Sequence, residues 1–413
     1  MARSPATLHV DPRDPAFVQD PYPTYGGLRD GLLFWWDAYG YWCSARHDVV
    51  SAILRDRRFG RQVLHVATRD QLGWPEPDPC LEPFWAVERH SLLELEPPAH
   101  GRLRGLVNRA FVSRQIERLR PRIEHLADER IDSFEHDGHV ELIEHFATPI
   151  PVVIIAELLG VDPSHAPLLL DWSHRMVAMY QFRRDPDVEC SAVSATQEFV
   201  RFLKDEVAAR RRAPREDLIS LLVAVEQAGD RLSEDELIAT CILLLNAGHE
   251  ATVHAIGNGV KAMLEAGAEG QALLGPDAVQ ALVEEVLRYD TPLHLFTRYA
   301  LEPLEIGGVK FEVGDKIGLL LGAANRDPAR FQQPDRFDAT RPENPNVSFG
   351  AGLHFCIGAP LARLELAAVL PRLIARLPRL RVAEPPRYRD TYHFRGLERL
   401  DLTWSTRRPI IVL

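Results

Sequence analysis

From about Arg102 to Arg288, close to half of the 413-residue chain, apolar residues recur at intervals of three and four. A surface with that period is buried against other helices or a sheet, so the chain is expected to be mainly α, a helix-rich body. The period breaks between Tyr299 and Leu321. There Leu304-Glu305-Ile306, Gly307-Gly308 and Val309-Lys310-Phe311 read as a β-hairpin on a two-glycine turn, which predicts a smaller β-rich part. Arg61 to Leu95, rich in Pro, Trp and acidic residues, reads as a long irregular loop with a short helix. No repeat, low-complexity segment or Gly/Ser linker divides the sequence, so a single domain over residues 1–413 is expected.

Composition narrows the function. A 46% hydrophobic and 26% charged chain of this length buries a large core, which excludes disorder and coiled-coil rods. The formal charge of −11 argues against a nucleic-acid partner, since such binding rests on neutralising phosphates. Five cysteines without a C-x-x-C pair read as free thiols in a reducing compartment. The first residues carry no apolar leader and no run of 18 apolar residues occurs, so a cytoplasmic protein without membrane association is expected.

Ser233-Glu234-Asp235-Glu236 is a capping box that opens a helix running to about Leu264. Inside it stands Ala247-Gly248-His249-Glu250-Ala251-Thr252. Glycine in a helix interior costs about 1 kcal/mol against alanine. Gly248 therefore either makes room for a ligand near Glu250 and Thr252, or marks a tight helix crossing with Glu250 solvated. A further helix opens at Pro276-Asp277 and closes before Pro292. On it Glu285 and Arg288 stand one turn apart, where they can pair.

Residues 349–358 read Phe-Gly-Ala-Gly-Leu-His-Phe-Cys-Ile-Gly, and a helix follows from Ala359. Cys356 thus lies in a glycine-rich turn at a helix N-terminus, where backbone N–H groups and the helix dipole favour a thiolate. A nucleophile would need a base, and His354, two residues away in an extended turn, points elsewhere. Metal ligation fits better. One thiolate without a second ligand at zinc spacing implies that a cofactor supplies the remaining ligands, and that cofactor is haem.

Phe349-Gly350-x-Gly352-x-His354-x-Cys356-x-Gly358 resembles the haem-thiolate signature of the cytochrome P450 monooxygenases. The resemblance extends from Asp20-Pro21-Tyr22-Pro23 to the final strands. It implies the cytochrome P450 fold, with haem b between a long distal helix and a proximal cysteine loop and helix. It also implies that Cys356 ligates the iron and that Phe349, Gly350 and Gly248 border the cofactor. Pro97-Pro98-x-His100-x-x-x-Arg104 looks like the family's propionate-holding helix, with Arg298 and His354 as the other two propionate contacts. Glu285 and Arg288 look like the family's structural pair, with Arg336, or else Arg341, as third member. Ala247-Gly248-x-Glu250 is similar to the oxygen-activating part of the distal helix.

One departure stands out. The family usually places Thr directly after the acid, where this chain has Ala251, and the hydroxyl comes one residue later at Thr252. One residue turns a side chain by about 100°, so proton delivery is expected from Glu250, ordered water or a substrate hydroxyl rather than from Thr252. Glu250 also argues against the family's peroxide-driven fatty-acid branch, which carries Arg near that position. The resemblance implies O2 as co-substrate and electrons from an external ferredoxin and its NAD(P)H-dependent reductase, with Arg102, Arg109 and Arg363 as candidate docking residues. By family position the pocket is expected to include Leu244, Ala247, Ala251, Leu293, His294, Leu295 and Phe296. Phe394 and His393, the early-loop residues Trp74, Phe84, Trp85 and Leu92, and Met176, Met179 and Tyr180 are further candidates. Their apolar character points to a hydrophobic small organic substrate that gains one oxygen atom. The competing readings are a haem-thiolate enzyme of rearrangement or dehydration, and a non-catalytic haem ligand carrier.

Overall fold

A computed structural model describes residues 6–111, 116–182, 184–227, 229–267 and 275–405. Helices dominate the middle of the chain. The longest is Glu234–Glu265, and its expected capping box is formed: the Ser233 hydroxyl accepts from Glu236 N while the Glu236 side chain accepts from Ser233 N. Helix Pro186–Arg212 starts on the Asp185 carboxylate and ends in Arg210, Arg211 and Arg212, a charge order that suits the helix dipole. Helix Pro276–Tyr289 has Pro at its first turn, as its sequence predicts. Residues 61–95 hold two short helices, Arg69–Leu72 and Glu82–Glu88, one more than expected.

The strands are β1 (Ala6–Leu8), β2 (Phe34–Trp36), β3 (Tyr41–Ser44), β4 (Phe59–Gly60), β5 (His139–Glu141), β6 (Glu226–Gln227) and β7 (Asp230–Arg231). After the long helices come β8 (Leu295–Ala300), β9 (Leu304–Ile306), β10 (Val309–Phe311), β11 (Lys316–Leu320), β12 (Arg381–Val382) and β13 (Asp401–Thr403). The main sheet runs β1-β2-β3-β11-β8-β4. It joins the start of the chain to residues near 320: Ile317 pairs with Trp42 in parallel and with Arg298 antiparallel. The β9–β10 hairpin turns on Gly307 and Gly308 at φ 59° and 85°, the left-handed conformation that its two-residue turn requires.

The largest apolar core wraps the long helix, with Leu237, Cys241, Leu245, Val253 and Ile256 among its buried members. Helices Pro149–Leu159 and Ala359–Arg376 both pack on this helix. The long helix is therefore held on two sides, and its residues 247–252 are fixed relative to the cysteine loop that opens Ala359–Arg376.

Candidate functional site

The turn before helix Ala359–Arg376 is built by its glycines. Gly350 and Gly352 adopt φ 68° and 70°, which other residues rarely adopt. A Cβ at Gly352 would lie 2.4 Å from the Leu54 carbonyl oxygen, so a side chain there would push the turn off helix His47–Arg55. The Cys356 N–H donates to Phe349 O at 3.0 Å. Burial pushes the Cys356 thiol up, opposed by the backbone N–H groups of Gly358 and Ala359 and by the charges of Arg104 and Arg363. The sulfur thus sits where N–H groups and two cations favour its ionised form.

Arg104 donates from Nη1 to Leu353 O at 3.2 Å and from Nη2 to Phe355 O at 2.7 Å, bracing this turn from helix Ala99–Ala110. One turn earlier on that helix, His100 is fully buried, and neither ring nitrogen has a partner among the described residues. Burial and the neighbouring His354 and Arg104 hold His100 down at about 4. Its ring lies 4.5 Å from that of His354, whose Nε2 meets Glu96 Oε1 at 3.0 Å. Arg298 is 3% exposed, and its only hydrogen bond among the described residues is to Thr297 O. Burial, then Arg61, lowers its pKa to about 9. His100 and Arg298 are buried donors without an anionic partner, an arrangement that fits the carboxylates of a haem. The sequence places all four residues here. It does not show Glu96, which two positions before Pro98 looks like an ordinary loop acid.

Across the site, the long helix presents a file on which Leu243 and Ala251 are half-buried and Ala247 is exposed. A flat ligand fits against the small side chains of Ala247 and Ala251. Gly248 lies on another side. A Cβ there would stand 3.3 Å from the Ile155 side chain, so Gly248 serves the crossing with helix Pro149–Leu159. Of the two roles the sequence leaves open for Gly248, the tight helix crossing is therefore present.

Glu250 is half-buried, and Oε2 has no partner among the described residues. Burial pushes its carboxyl up to about 7, against the pull of Arg389. Thr252 is buried, and its hydroxyl donates weakly to Gly248 O at 3.5 Å. It lies beside Glu365 of helix Ala359–Arg376, which burial raises to about 8 and whose two oxygens have no well-formed hydrogen bond among the described residues. Thr252 and the Ala251 face therefore point in different directions, as the 100° step predicts. Glu365 was not foreseen; an acid nine residues after Cys356 reads as a solvated helix charge until the packing is known.

Glu285 and Arg288 are both fully buried and doubly bonded, Nε to Oε2 at 2.7 Å and Nη2 to Oε1 at 2.8 Å. Arg288 also donates to the carbonyls of Asn325 and Pro334, and Glu285 accepts from Asp338 N and Asn344 Nδ2. The third cation is Arg341, whose Nε reaches Glu285 Oε1 at 3.2 Å. Arg336 is corrected. The chain turns at Gln333, φ 45°, and presents the Arg336 carbonyl to Arg288 Nη2, while the Arg336 side chain points outward to Gln333 Oε1.

Among the pocket candidates, Phe296 lies over Gly350, where a Cβ would stand 3.2 Å from its ring, and Leu293 bridges to Phe394. Leu244 is buried in the large core. His294 goes elsewhere: it is fully buried, its Nδ1 is 2.9 Å from the Tyr25 hydroxyl, and its ring packs on Tyr22 and Tyr392. It belongs to an aromatic cluster behind β8, which corrects its expected place in the pocket. Leu295 joins that same cluster. Phe84 and Met176 are core residues, Trp74 packs on Tyr299, and Tyr180 donates to Glu88 at 2.9 Å. His393 is held down at about 4 by burial and by Arg61. Of the three docking arginines, Arg102 pairs with Asp230 and Glu236 and Arg363 with Glu284. Only Arg109 has no ion-pair partner among the described residues.

Comparison with known proteins shows the family. The family model described as Cytochrome P450 matches residues 277–386. Cytochrome P450 107B1 of Saccharopolyspora erythraea is 38% identical over 401 residues, covering 94% of this chain and 96% of the relative. The 6-deoxyerythronolide B hydroxylase of the same organism is 36% identical, covering 95% and 98%. The crystal structure of P450BioI with hexadec-9Z-enoic acid ligated acyl carrier protein superposes with a TM-score of 0.88 at 33% identity, over 95% of this chain and 99% of that one. The chain belongs to the cytochrome P450 family. It is a haem-thiolate monooxygenase whose cofactor is a cysteine-ligated haem b, with O2, a small-molecule substrate and a redox partner. Among the described residues no helix is long and apolar enough to cross a membrane.

Proposed function

We propose that Cys356 is the axial thiolate and that the enzyme inserts one oxygen atom of O2 into a hydrophobic small organic molecule. The observation that carries this reading is the Cys356 sulfur lying against the N–H groups of Gly358 and Ala359 at a helix start, with Arg104 and Arg363 nearby. His100, Arg104, Arg298 and His354 hold the propionate side, and Phe349 and Gly350 border the proximal face. When bound, the thiolate-ligated haem supplies the electron-rich centre needed to cleave O2. The chain's own residues orient the substrate against Ala247, Ala251, Leu293, Phe296 and Phe394 and bring protons through Glu250. Ala251 offers no hydroxyl, and Thr252 is turned toward Glu365. The fatty acyl ligand of one structural neighbour supports a hydrophobic substrate.

The carbon-monoxide complex of the reduced protein is expected to show the red-shifted Soret band of a thiolate ligand, and Cys356→Ala to lose it. A wild type without the band, or a Cys356→Ala variant that keeps it, overturns the assignment. Electrons come from a ferredoxin and its reductase in the cytoplasm, since the sequence carries no flavin or iron–sulfur motif. NADPH with the isolated protein is expected to give no oxidation, and adding a ferredoxin with its reductase to restore it. Rapid NADPH oxidation by the protein alone contradicts this.

A further inference from the structure

Residues 246, 250 and 254 of the long helix stand four apart and so form one stripe, with His249 beside it. Asn246 Oδ1, His249 Nε2, Glu250 Oε2 and His254 Nε2 are all buried, and none has a hydrogen-bond partner among the described residues. Native proteins leave few buried polar atoms unpaired, and those without protein partners are met by ordered water. Four such atoms on two turns of one helix are a concentration that core packing does not explain.

The stripe has a solvent end. His174, exposed on helix Ala166–Val177, has its ring 5.9 Å from that of His249. The Nδ1 of His249 lies 2.8 Å from Leu245 O, which makes it the protonated nitrogen and leaves Nε2 as an acceptor. At the inner end, His254 Nε2 stands 3.8 Å from Glu250 Oε1, too far for a hydrogen bond and within reach of one bridging water. Gly396 fixes that imidazole: a Cβ at this position would overlap the ring. The other charged groups facing the stripe are Arg389, which acts on Glu250, His254 and His174, and Asp171, which acts on His174. Thr252 and Glu365 lie on another side of the helix.

We infer that His174, His249 and His254, with the water their unpaired nitrogens hold, form the route by which solvent protons reach Glu250. This rests on the reading of Glu250 as the proton donor to the cavity. A proton taken up at His174 passes along the file and converts the Glu250 carboxylate to the acid. Glu250 then releases a proton on the cavity side and returns to the carboxylate. One proton moves per cycle, and no protein group is oxidised or reduced. Burial holds His254 at about 3, so it passes the proton on without storing it as a cation. Glu250, at about 7, is the group that stores it.

The test uses the haem-loaded full chain. The infrared carboxyl band of Glu250, identified by its loss in Glu250→Gln, is followed after a pH jump across neutrality. Peroxide released per NADPH is measured with a supplied ferredoxin and reductase. His254→Leu and His174→Ala are expected to slow the band's response by about tenfold or more and to raise the peroxide fraction. Thr252→Ala is expected to leave the band's response unchanged. His254→Gln replaces His254→Leu if the latter does not load haem, and the exposed His174→Ala perturbs no core. A band that responds at the wild-type rate in both histidine variants overturns the route. If it does so while Glu250→Gln still raises peroxide, the route fails and the reading of Glu250 stands. If Glu250→Gln leaves the peroxide fraction unchanged, the reading of Glu250 fails, whatever the histidines do.

Discussion

Glu285→Ala is expected to yield little or no haem-loaded protein. The carboxylate is fully buried and accepts from Arg288, Arg341, Asn344 and the Asp338 N–H. Removing it leaves one arginine wholly buried without its counter-charge, and breaking such a pair costs about 3–5 kcal/mol. That is a large share of the roughly 5–15 kcal/mol that holds a typical domain folded. The same arginine donates to the carbonyls of Asn325, Pro334 and Arg336, so the damage spreads into the segment that leads to the cysteine loop. Haem content and the midpoint of thermal unfolding check this. A stable, haem-loaded Glu285→Ala with a normal spectrum and no turnover would instead show that Glu285 takes part in the chemistry.

Asp290→Ala is expected to destabilise the fold by a similar amount, and the wild type to lose the same contribution in acid. Burial alone would raise the Asp290 carboxyl; Arg395 and Arg326 and the hydroxyls of Tyr22 and Tyr388 more than offset it and hold the group well below the usual carboxylate range. A carboxyl depressed in the folded state adds stability that is complete above the unfolded value of about 3.9 and is lost as pH falls toward the folded value. The group joins Tyr22 near the start of the chain, the end of helix Pro276–Tyr289 and Arg395 near the last strand. Unfolding followed between neutral pH and pH about 3 should show a steeper decline in wild type than in Asp290→Asn. An identical acid profile in the two proteins would show that other carboxylates set the acid limit.

Sequence periodicity and local turn chemistry made much of this structure legible. The capping box at Ser233, the two-glycine hairpin and the cysteine turn are each decided within a few residues, so local physics is enough to find them. Glu285 and Arg288 are legible for the same reason, being one helical turn apart. Arg341 and Arg336 are not separable in sequence, because the choice depends on a left-handed conformation at Gln333 that no glycine or asparagine announces. Family position puts His294 in the pocket, whereas the structure gives it to Tyr25 and Tyr392, which lie far from it in sequence. Glu96, Glu365 and His254 went unnoticed for a related reason. Their environments are made by segments far from them, and a buried ionisable group looks like any surface one until its neighbours are known.

The order of strands in the main sheet also carries a consequence for biosynthesis. β3 ends at Ser44, and its parallel neighbour β11 begins at Lys316. Chains leave the ribosome at about 5–20 residues per second, so the N-terminal strands wait tens of seconds for the partner that completes their hydrogen bonding. Through that interval β3 is an unpaired edge carrying Trp42 and Cys43, a template for pairing with other chains. The helical middle can collapse on local contacts meanwhile, since such contacts form early. Overexpression at lowered temperature, or with a holdase chaperone present, should therefore raise the recovered fraction more than any change that only stabilises the finished fold.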